Sequence, residues 1–210
     1  MKKQIITIFT VASLLWSCTD HEVETSNFEL NNNSVATWKG YLKTGYFNEG
    51  TIDVKSESLI VRDGKVAAGS FTIPVSSIIN SNLPTEELKE QLVHHLQSAD
   101  FFDMALHPNV TFNISGVTPY SGSKEGDVAG ANFMVNGSLK ILGKENPIQF
   151  PAKIDVAGNL LSVEGNIKID RTSWGMNYAT DPSAPAENYI EPVIDVHLYL
   201  RGGKNNCQAP

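Results

Sequence analysis

The chain has 210 residues, a length that fits one domain together with a targeting segment. Its 16 Lys and Arg residues stand against 23 Asp and Glu residues, which gives a formal net charge of −7. This acidic balance excludes the basic footprint of a nucleic-acid-binding domain and the polybasic patch that draws proteins to anionic lipid.

The N-terminus has the pattern of a bacterial export signal. Two lysines are followed by an uncharged apolar run over residues 5–16. The run is shorter than the roughly 20 residues that span a bilayer, and a basic start before a short apolar run is typical of a secretory signal peptide. The run ends in Leu-Trp-Ser-Cys at Cys18, which resembles the lipobox of bacterial lipoproteins. We therefore predict a signal peptide over residues 1–17 and a lipid on Cys18; the alternative is an uncleaved N-terminal helix or a buried cysteine.

Such processing predicts a cell-envelope protein, an outer-membrane lipoprotein that faces the periplasm or the cell surface. The remaining chain has 14 Lys and Arg residues against 23 Asp and Glu residues, a balance of −9. Residues 19–36 are polar, so residues 18–36 are predicted to form a flexible tether with little to bury. The folded domain is expected over residues 37–201, before a tail at 202–210. With Cys18 lipidated, Cys207 has no partner for an intrachain disulfide.

Apolar and polar residues alternate along most of the domain. Val110, Phe112 and Ile114, for example, are separated by polar residues, a period that predicts a strand with one buried face. Short turns such as Asp63-Gly64 join neighbouring strands, which makes those strands antiparallel. The predicted strands span residues 37–47, 50–62, 65–79, 109–117, 127–142, 148–156, 160–170 and 189–201.

One strand changes its buried face midway. Val66 and Ala68 share one parity, whereas Phe71 and Ile73 lie on the other, with Gly69 at the change. A glycine at such a point indicates a β-bulge or a sharp bend. The alternative is that the strand ends early.

One helix is predicted in this β-rich chain. Pro84 and Thr85 precede two glutamates, an arrangement that starts a helix, and an apolar stripe at helical spacing continues to Leu96 before an end near Ser98. Eight antiparallel strands and one short helix predict an all-β fold, a closed eight-stranded lipocalin-like barrel. An interior of that size holds packed side chains or one small ligand.

Three short motifs follow one another from the end of the predicted helix: His95-Leu96, Phe101-Phe102-Asp103 and Pro108-Asn109-Val110-Thr111-Phe112. They resemble the YceI family, whose members read roughly His-Leu, then Phe-Phe-Asp, then Tyr-Pro-x-Ile-Thr-Phe. The resemblance covers roughly residues 37–200, with His107 where the family usually has Tyr. The chain also has a longer loop at 120–126 and an insert at 180–185. The matching segments are His95-Leu96, Phe101-Phe102-Asp103, Pro108-Asn109-Val110-Thr111-Phe112, the Gly-x-Leu-x-Ile-x-Gly hairpin at 137–143 and the Asp-Arg-x-x-Trp-Gly stretch at 170–175.

The resemblance implies a lipocalin-like barrel in the periplasm or outer envelope, and family members bind long isoprenoid chains, including quinone tails, inside it. We therefore predict a non-catalytic carrier of a long apolar lipid, without a cofactor and without nucleic acid as a partner. The competing hypothesis is a close-packed structural or interaction module without a ligand. The expected ligand contacts are inward strand residues and aromatic or sulfur-containing loop residues: Phe71, Ile73, Val75, Phe101, Phe112, Ile114, Phe133, Val135, Phe150, Ile167, Trp174, Met176 and Tyr178.

No strong catalytic or metal motif is present. His94 and His95 are helix neighbours about 100° apart and do not readily share a metal. An enzyme is our third hypothesis; its acid and base would be Asp103 and His107, with Arg171 nearby. The structural interpretation is that Asp103 satisfies backbone N–H groups in a turn, and that Arg171 forms a charge pair or a carbonyl clamp at a strand end.

Replacing Cys18 by Ala is expected to give a soluble or unprocessed protein. One acyl chain holds a protein only marginally on a membrane, whereas several chains anchor it stably, and the variant has no acceptor for the diacylglyceryl group. Membrane fractionation of both proteins checks this. Cys207→Ala should fractionate like the wild type, and an unchanged Cys18→Ala would place the anchor elsewhere.

Overall fold

The computed structural model describes residues 22–205. The predictions for the signal peptide at 1–17, for Cys18 and for Cys207 lie outside these residues and stay predictions. The strands are β1 (Thr25–Leu30), β2 (Val35–Tyr41), β3 (Phe47–Asp53), β4 (Lys55–Arg62), β5 (Lys65–Pro74), β6 (Ile79–Asn80), β7 (Asn109–Pro119), β8 (Phe133–Ile141), β9 (Lys144–Ala157), β10 (Leu160–Asp170) and β11 (Val193–Lys204). Helix α1 is Glu86–Gln97, and short 3₁₀ turns lie at Val75–Ser77 and Arg171–Trp174.

The sheet closes on itself. Every paired neighbour is antiparallel, and the order β1-β4-β5-β7-β8-β9-β10-β11 returns to β1, which pairs with β11. Strands β2 and β3 continue the paths of β1 and β4, because β2 pairs with both β11 and β3. The result is a barrel of eight continuous antiparallel paths, which confirms the predicted fold class.

The prediction of a tether that reaches residue 36 is wrong. Residues 25–30 form β1 and residues 35–41 form β2, and Phe28 in β1 is only 3% exposed. The asparagine run between them forms a turn, in which the hydroxyl of Ser34 donates to the Arg201 carbonyl at 2.8 Å and accepts from the Arg201 N–H at 3.0 Å. Phe28, Leu30 and Ala36 are the buried apolar residues of this segment. They are too few to stand out in a polar stretch of sequence.

Several strand boundaries also differ from the prediction. The segment 50–62 divides at Val54 into β3 and β4, and the segment 65–79 is interrupted by the 3₁₀ turn after β5. Strand β8 starts only at residue 133, because a loop precedes it, whereas β9 starts four residues earlier than expected. Strand β11 starts at residue 193 and continues to 204, so the predicted tail is shorter.

The change of face in β5 comes from a bulge, but not at Gly69. Gly69 pairs regularly with Leu59, while the register shifts between the pairs Ile60–Ala68 and Val61–Val66. Ala67 is therefore the extra residue, two positions before the predicted site. The added residue moves the later side chains of β5 to the opposite parity.

The predicted helix is confirmed. The Thr85 hydroxyl accepts the Leu88 N–H at 3.3 Å as N-cap, and Ser98 is the C-cap. No helical residue is fully buried, although Val93 and Leu96 pack against the core. The helix therefore covers one end of the barrel instead of filling it. No helix in residues 22–205 is long and apolar enough to cross a membrane.

Replacing Phe28 by Ala is expected to lower the free energy of unfolding by about 3–5 kcal/mol, because a buried ring is removed from the strand that closes the barrel. Urea denaturation measures the change. The control Val23→Ala removes an exposed side chain, 57% accessible, just before β1. Equal midpoints for the two variants would mean that residues 25–30 do not belong to the folded unit.

Candidate functional site: a cavity inside the barrel

The barrel encloses a cavity of about 270 Å³. At one end it reaches Leu30 and Leu161, where Phe28 and Val61 belong to the core but do not line the cavity; we call this the closed end. At the other end, the open end, the lining includes Tyr46, whose 50% exposure shows that the cavity reaches the surface there. The open end is formed by the loop after β2, helix α1 and the segment between β10 and β11.

Most of the predicted contact residues line this cavity. They are Phe71, Ile73, Phe101, Phe112, Ile114, Val135, Phe150, Ile167 and Met176. The strand residues among them lie on the inward face of their strands, whereas Phe101 and Met176 lie in irregular segments at the open end. A ligand contact at each of these residues stays a prediction.

Four predicted residues do not line the cavity. Val75 is fully buried in a second core cluster, and Trp174 lies in the same cluster with its indole N–H donating to the Leu139 carbonyl at 3.0 Å. Phe133 packs against the main core, and Tyr178 is 42% exposed. Trp174 therefore packs in the core and Tyr178 lies at the rim, and neither side chain enters the cavity. Strand parity could not predict this, because both residues lie outside the strands.

Three phenylalanines of the cavity wall lie against glycines. A Cβ at Gly137 would overlap the ring of Phe112. A Cβ at Gly69 would lie 2.7 Å from the ring of Phe71, and one at Gly165 would lie 3.3 Å from the ring of Phe150. The ring centroids follow one another at 6.2 Å and 6.1 Å. The missing side chains thus let a row of large rings lie close to the wall.

Arg171 is a carbonyl clamp at the open end. Arg171 is only 3% exposed. Its guanidinium donates to the carbonyls of Met176 at 2.5 Å, Tyr178 at 2.9 Å, Ile190 at 3.1 Å and Glu191 at 3.4 Å. Burial lowers the pKa of Arg171, and the nearby acidic groups partly offset that shift. The clamp joins the two ends of the segment between β10 and β11, which gives Arg171 a structural role.

An aromatic contact joins α1 to the same segment. The His95 ring meets Phe101 at 5.1 Å and Tyr178 at 4.8 Å between centroids, both edge-on. Its Nε2 lies 3.0 Å from the Asp100 carboxylate. Phe101 also lies 5.7 Å below the Arg171 guanidinium. The His-Leu and Phe-Phe-Asp motifs therefore build the rim of the open end.

The residues of the enzyme hypothesis have separate structural contacts. Asp103 has a φ of 44°, and its carbonyl accepts the backbone N–H groups of Leu106 and His107. The His107 ring lies by Gly143, where a Cβ would be 3.2 Å from its Cε1. No side-chain hydrogen bond within residues 22–205 joins Asp103 to His107, and no group of three or more His, Cys, Asp and Glu residues there could hold a metal.

Sequence reasoning missed part of the wall near the open end. Trp38 and Asn48 line the cavity from β2 and β3, Leu42 lines it from the residue just after β2, and Leu92 lines it from α1. Trp38 and Leu42 share one strand parity, which was the available signal. Asn48 gave none, because a polar residue on an inward position is indistinguishable from one on an outward position when the strand register is unknown.

Tyr41 anchors this wall to the outer surface. Tyr41 lines the cavity, and its hydroxyl donates to Asp195 at 3.0 Å. Burial and the bond to Asp195 raise the pKa of Tyr41. Burial would raise the pKa of Asp195, but hydrogen bonds from Lys168, at 2.6 Å, and from Tyr41 outweigh it, so that pKa lies below its usual value.

Comparisons with known proteins agree with this architecture. The model of the YceI-like domain matches residues 20–201. A comparison with curated protein sequences gave no match.

Three solved structures share the fold at low sequence identity. BcnA of Burkholderia cenocepacia is 17% identical, with a TM-score of 0.57 over 80% of this chain and 95% of that one. A polyisoprenoid-binding domain from Saccharophagus degradans is 12% identical, with a TM-score of 0.57 over 85% and 98%. A mutant YCEI protein of Campylobacter jejuni is 16% identical, with a TM-score of 0.51 over 98% and 99%.

Replacing Arg171 by Lys is expected to lower the free energy of unfolding by about 2–4 kcal/mol. The ammonium group cannot donate to all four carbonyls that the guanidinium binds, so some of them lose their hydrogen bonds. The control is Arg201→Lys, whose partner Glu164 forms a half-exposed ion pair worth about 1 kcal/mol or less. Urea denaturation and limited proteolysis of the 175–192 segment measure both effects. Equal losses in the two variants would contradict the clamp.

Proposed function

The chain belongs to the YceI-like family, and from that premise we propose that it is a non-catalytic carrier of a long apolar ligand of the isoprenoid class. The observation that carries the proposal is the cavity, which is lined almost throughout by aliphatic and aromatic side chains and opens at one end. The Saccharophagus degradans relative is a polyisoprenoid-binding domain, which supports the ligand class.

The size of the cavity favours a carrier over a close-packed module. A barrel interior packed at a density of about 0.75 leaves no space of this kind. An apolar cavity of about 150 Å³ stays free of water and accepts small hydrocarbons, and this cavity is larger. Each CH₂ group that enters contributes about 0.8 kcal/mol, so a chain binds without needing any ion pair.

We also propose that the carrier works in the cell envelope, held by a lipid on Cys18. Strand β1 starts at Thr25, so about seven residues separate the proposed anchor from the barrel, a reach of at most roughly 25 Å. β1 begins at the closed end. The anchored barrel would therefore present its closed end to the membrane and its open end away from it, where a partner protein or a second membrane would exchange the ligand.

Replacing Gly40 by Leu is expected to reduce ligand affinity about tenfold or more. Gly40 lines the cavity, and a Cβ there would meet only Ile194, at 3.9 Å, so the new side chain fits and occupies ligand space. It takes the place of several CH₂ groups worth about 0.8 kcal/mol each. Displacement of a fluorescent fatty probe by an isoprenoid alcohol measures the affinity.

The control is Gly116→Leu, which adds the same side chain at a strand glycine that does not line the cavity and has open space. It should bind like the wild type. Organic extraction of the purified wild type followed by mass spectrometry should also release an apolar chain. A clean extract together with equal affinities for both variants would contradict the proposal.

A further inference from the structure

The apolar cavity contains few polar side-chain atoms. Among the described residues that line it, the side chains with a nitrogen or oxygen are Trp38, Tyr41, Tyr46, Asn48 and Arg171. The Tyr41 hydroxyl binds Asp195, the Arg171 guanidinium binds carbonyls, and Tyr46 is half exposed at the open end. Among the polar side chains of the lining, Trp38 and Asn48 remain.

Both of these lining residues have a buried polar side-chain atom without a hydrogen-bond partner. In residues 22–205, the buried side-chain nitrogen and oxygen atoms without a hydrogen-bond partner are Trp38 Nε1 and Asn48 Oδ1. One is a donor and the other an acceptor. A buried polar group left unpaired costs about 1–3 kcal/mol, so two such atoms at one site indicate a partner that binds there.

The two side chains are neighbours on the inward face. Trp38 lies opposite Gly50, and Asn48 lies opposite Gly40, which is the next inward-facing pair toward the open end. The indole leans over Gly50, where a Cβ would be 2.9 Å from its Cζ2. The N–H donor and the amide therefore lie on adjacent strands within a small part of the wall, close to where β3 begins at Phe47.

We infer that the ligand carries an uncharged hydroxyl group that binds at Trp38 and Asn48, an inference that rests on the proposed carrier function. A hydroxyl accepts the indole N–H and donates to the amide oxygen, so one group satisfies both atoms. The site lies near the open end, which places the hydroxyl there and the apolar chain toward Leu161 at the closed end. The ligand class is then a long-chain isoprenoid alcohol.

The charges of the cavity favour an uncharged head group over a phosphate or a carboxylate. Arg171 is the one cationic residue in the described lining, and its guanidinium donates to backbone carbonyls. An anion at Trp38 and Asn48 would therefore be buried without a counter-charge, which is strongly unfavourable. A neutral alcohol carries no charge to bury and avoids this cost.

The test compares three probes with one chain: geranylgeraniol, its methyl ether and its monophosphate. The ether keeps the acceptor for Trp38 but loses the donor for Asn48. We expect the wild type to prefer the alcohol to the ether by about three- to tenfold, the usual effect of one hydrogen bond, and to bind the phosphate most weakly. Displacement of a fluorescent fatty probe measures all three affinities.

The variants separate the two contacts. Asn48→Leu should bind alcohol and ether equally, whereas Trp38→Phe should weaken both by a similar factor and keep their ratio. Asn113→Leu, on the outward face of β7, is the matched control and should behave like the wild type. Thermal unfolding of each variant verifies that it is folded, and Asn48→Leu should be at least as stable as the wild type because it removes an unpaired buried group.

The outcomes distinguish this inference from the carrier function. A wild type that binds none of the probes would overturn both. A wild type that binds alcohol and ether equally, or the phosphate most tightly, would overturn the hydroxyl site and leave the carrier function standing. An unchanged preference for alcohol in Asn48→Leu would do the same, and would assign the two polar atoms to bound water instead.

Discussion

The pairing of β1 with both β4 and β11 is the constraint on which the rest of the structure depends. It turns an open sheet into a ring, in which each strand from β1 through β4, β5 and β7 to β11 has a paired neighbour on both sides. It also fixes an interior lined by inward residues from every strand. Phe28, buried within the short β1, holds that closure in place. Without it the barrel would have a gap between β4 and β11 at the closed end, where water could enter the cavity.

The periodic parts of the sequence predicted the fold, and the irregular parts did not. Alternation over β7, and the capping signal at Thr85, are local patterns with a single structural meaning. The strand over 25–30 is different, because its stability comes from partners at Val61 and Lys204 that are distant in sequence. The bulge at Ala67 likewise depends on the register of β4, which no pattern within β5 specifies.

The candidate site shows the same limit at the level of side chains. Inward residues of regular strands, such as Phe112 and Phe150, could be assigned to the cavity from parity alone. Trp174 and Tyr178 could not, because a loop has no parity, and the structure places one in a core cluster and the other at the rim. The role of Asn48 could not be predicted from the sequence for a further reason. Its importance comes from what it lacks, a hydrogen-bond partner, and only a three-dimensional arrangement shows that.

The glycines of the wall explain how so narrow a barrel encloses a cavity. An eight-stranded barrel is narrow enough for large side chains to fill it, so rings such as those of Phe112 and Phe150 would be expected to close the lumen. Gly137 and Gly165 instead leave gaps into which these rings recede. The large rings then form the apolar wall of the cavity and do not fill the lumen. An interior packed to the usual density would be more stable. The cavity therefore costs stability that a ligand in contact with these rings would restore, which is the physical argument for a ligand-binding barrel.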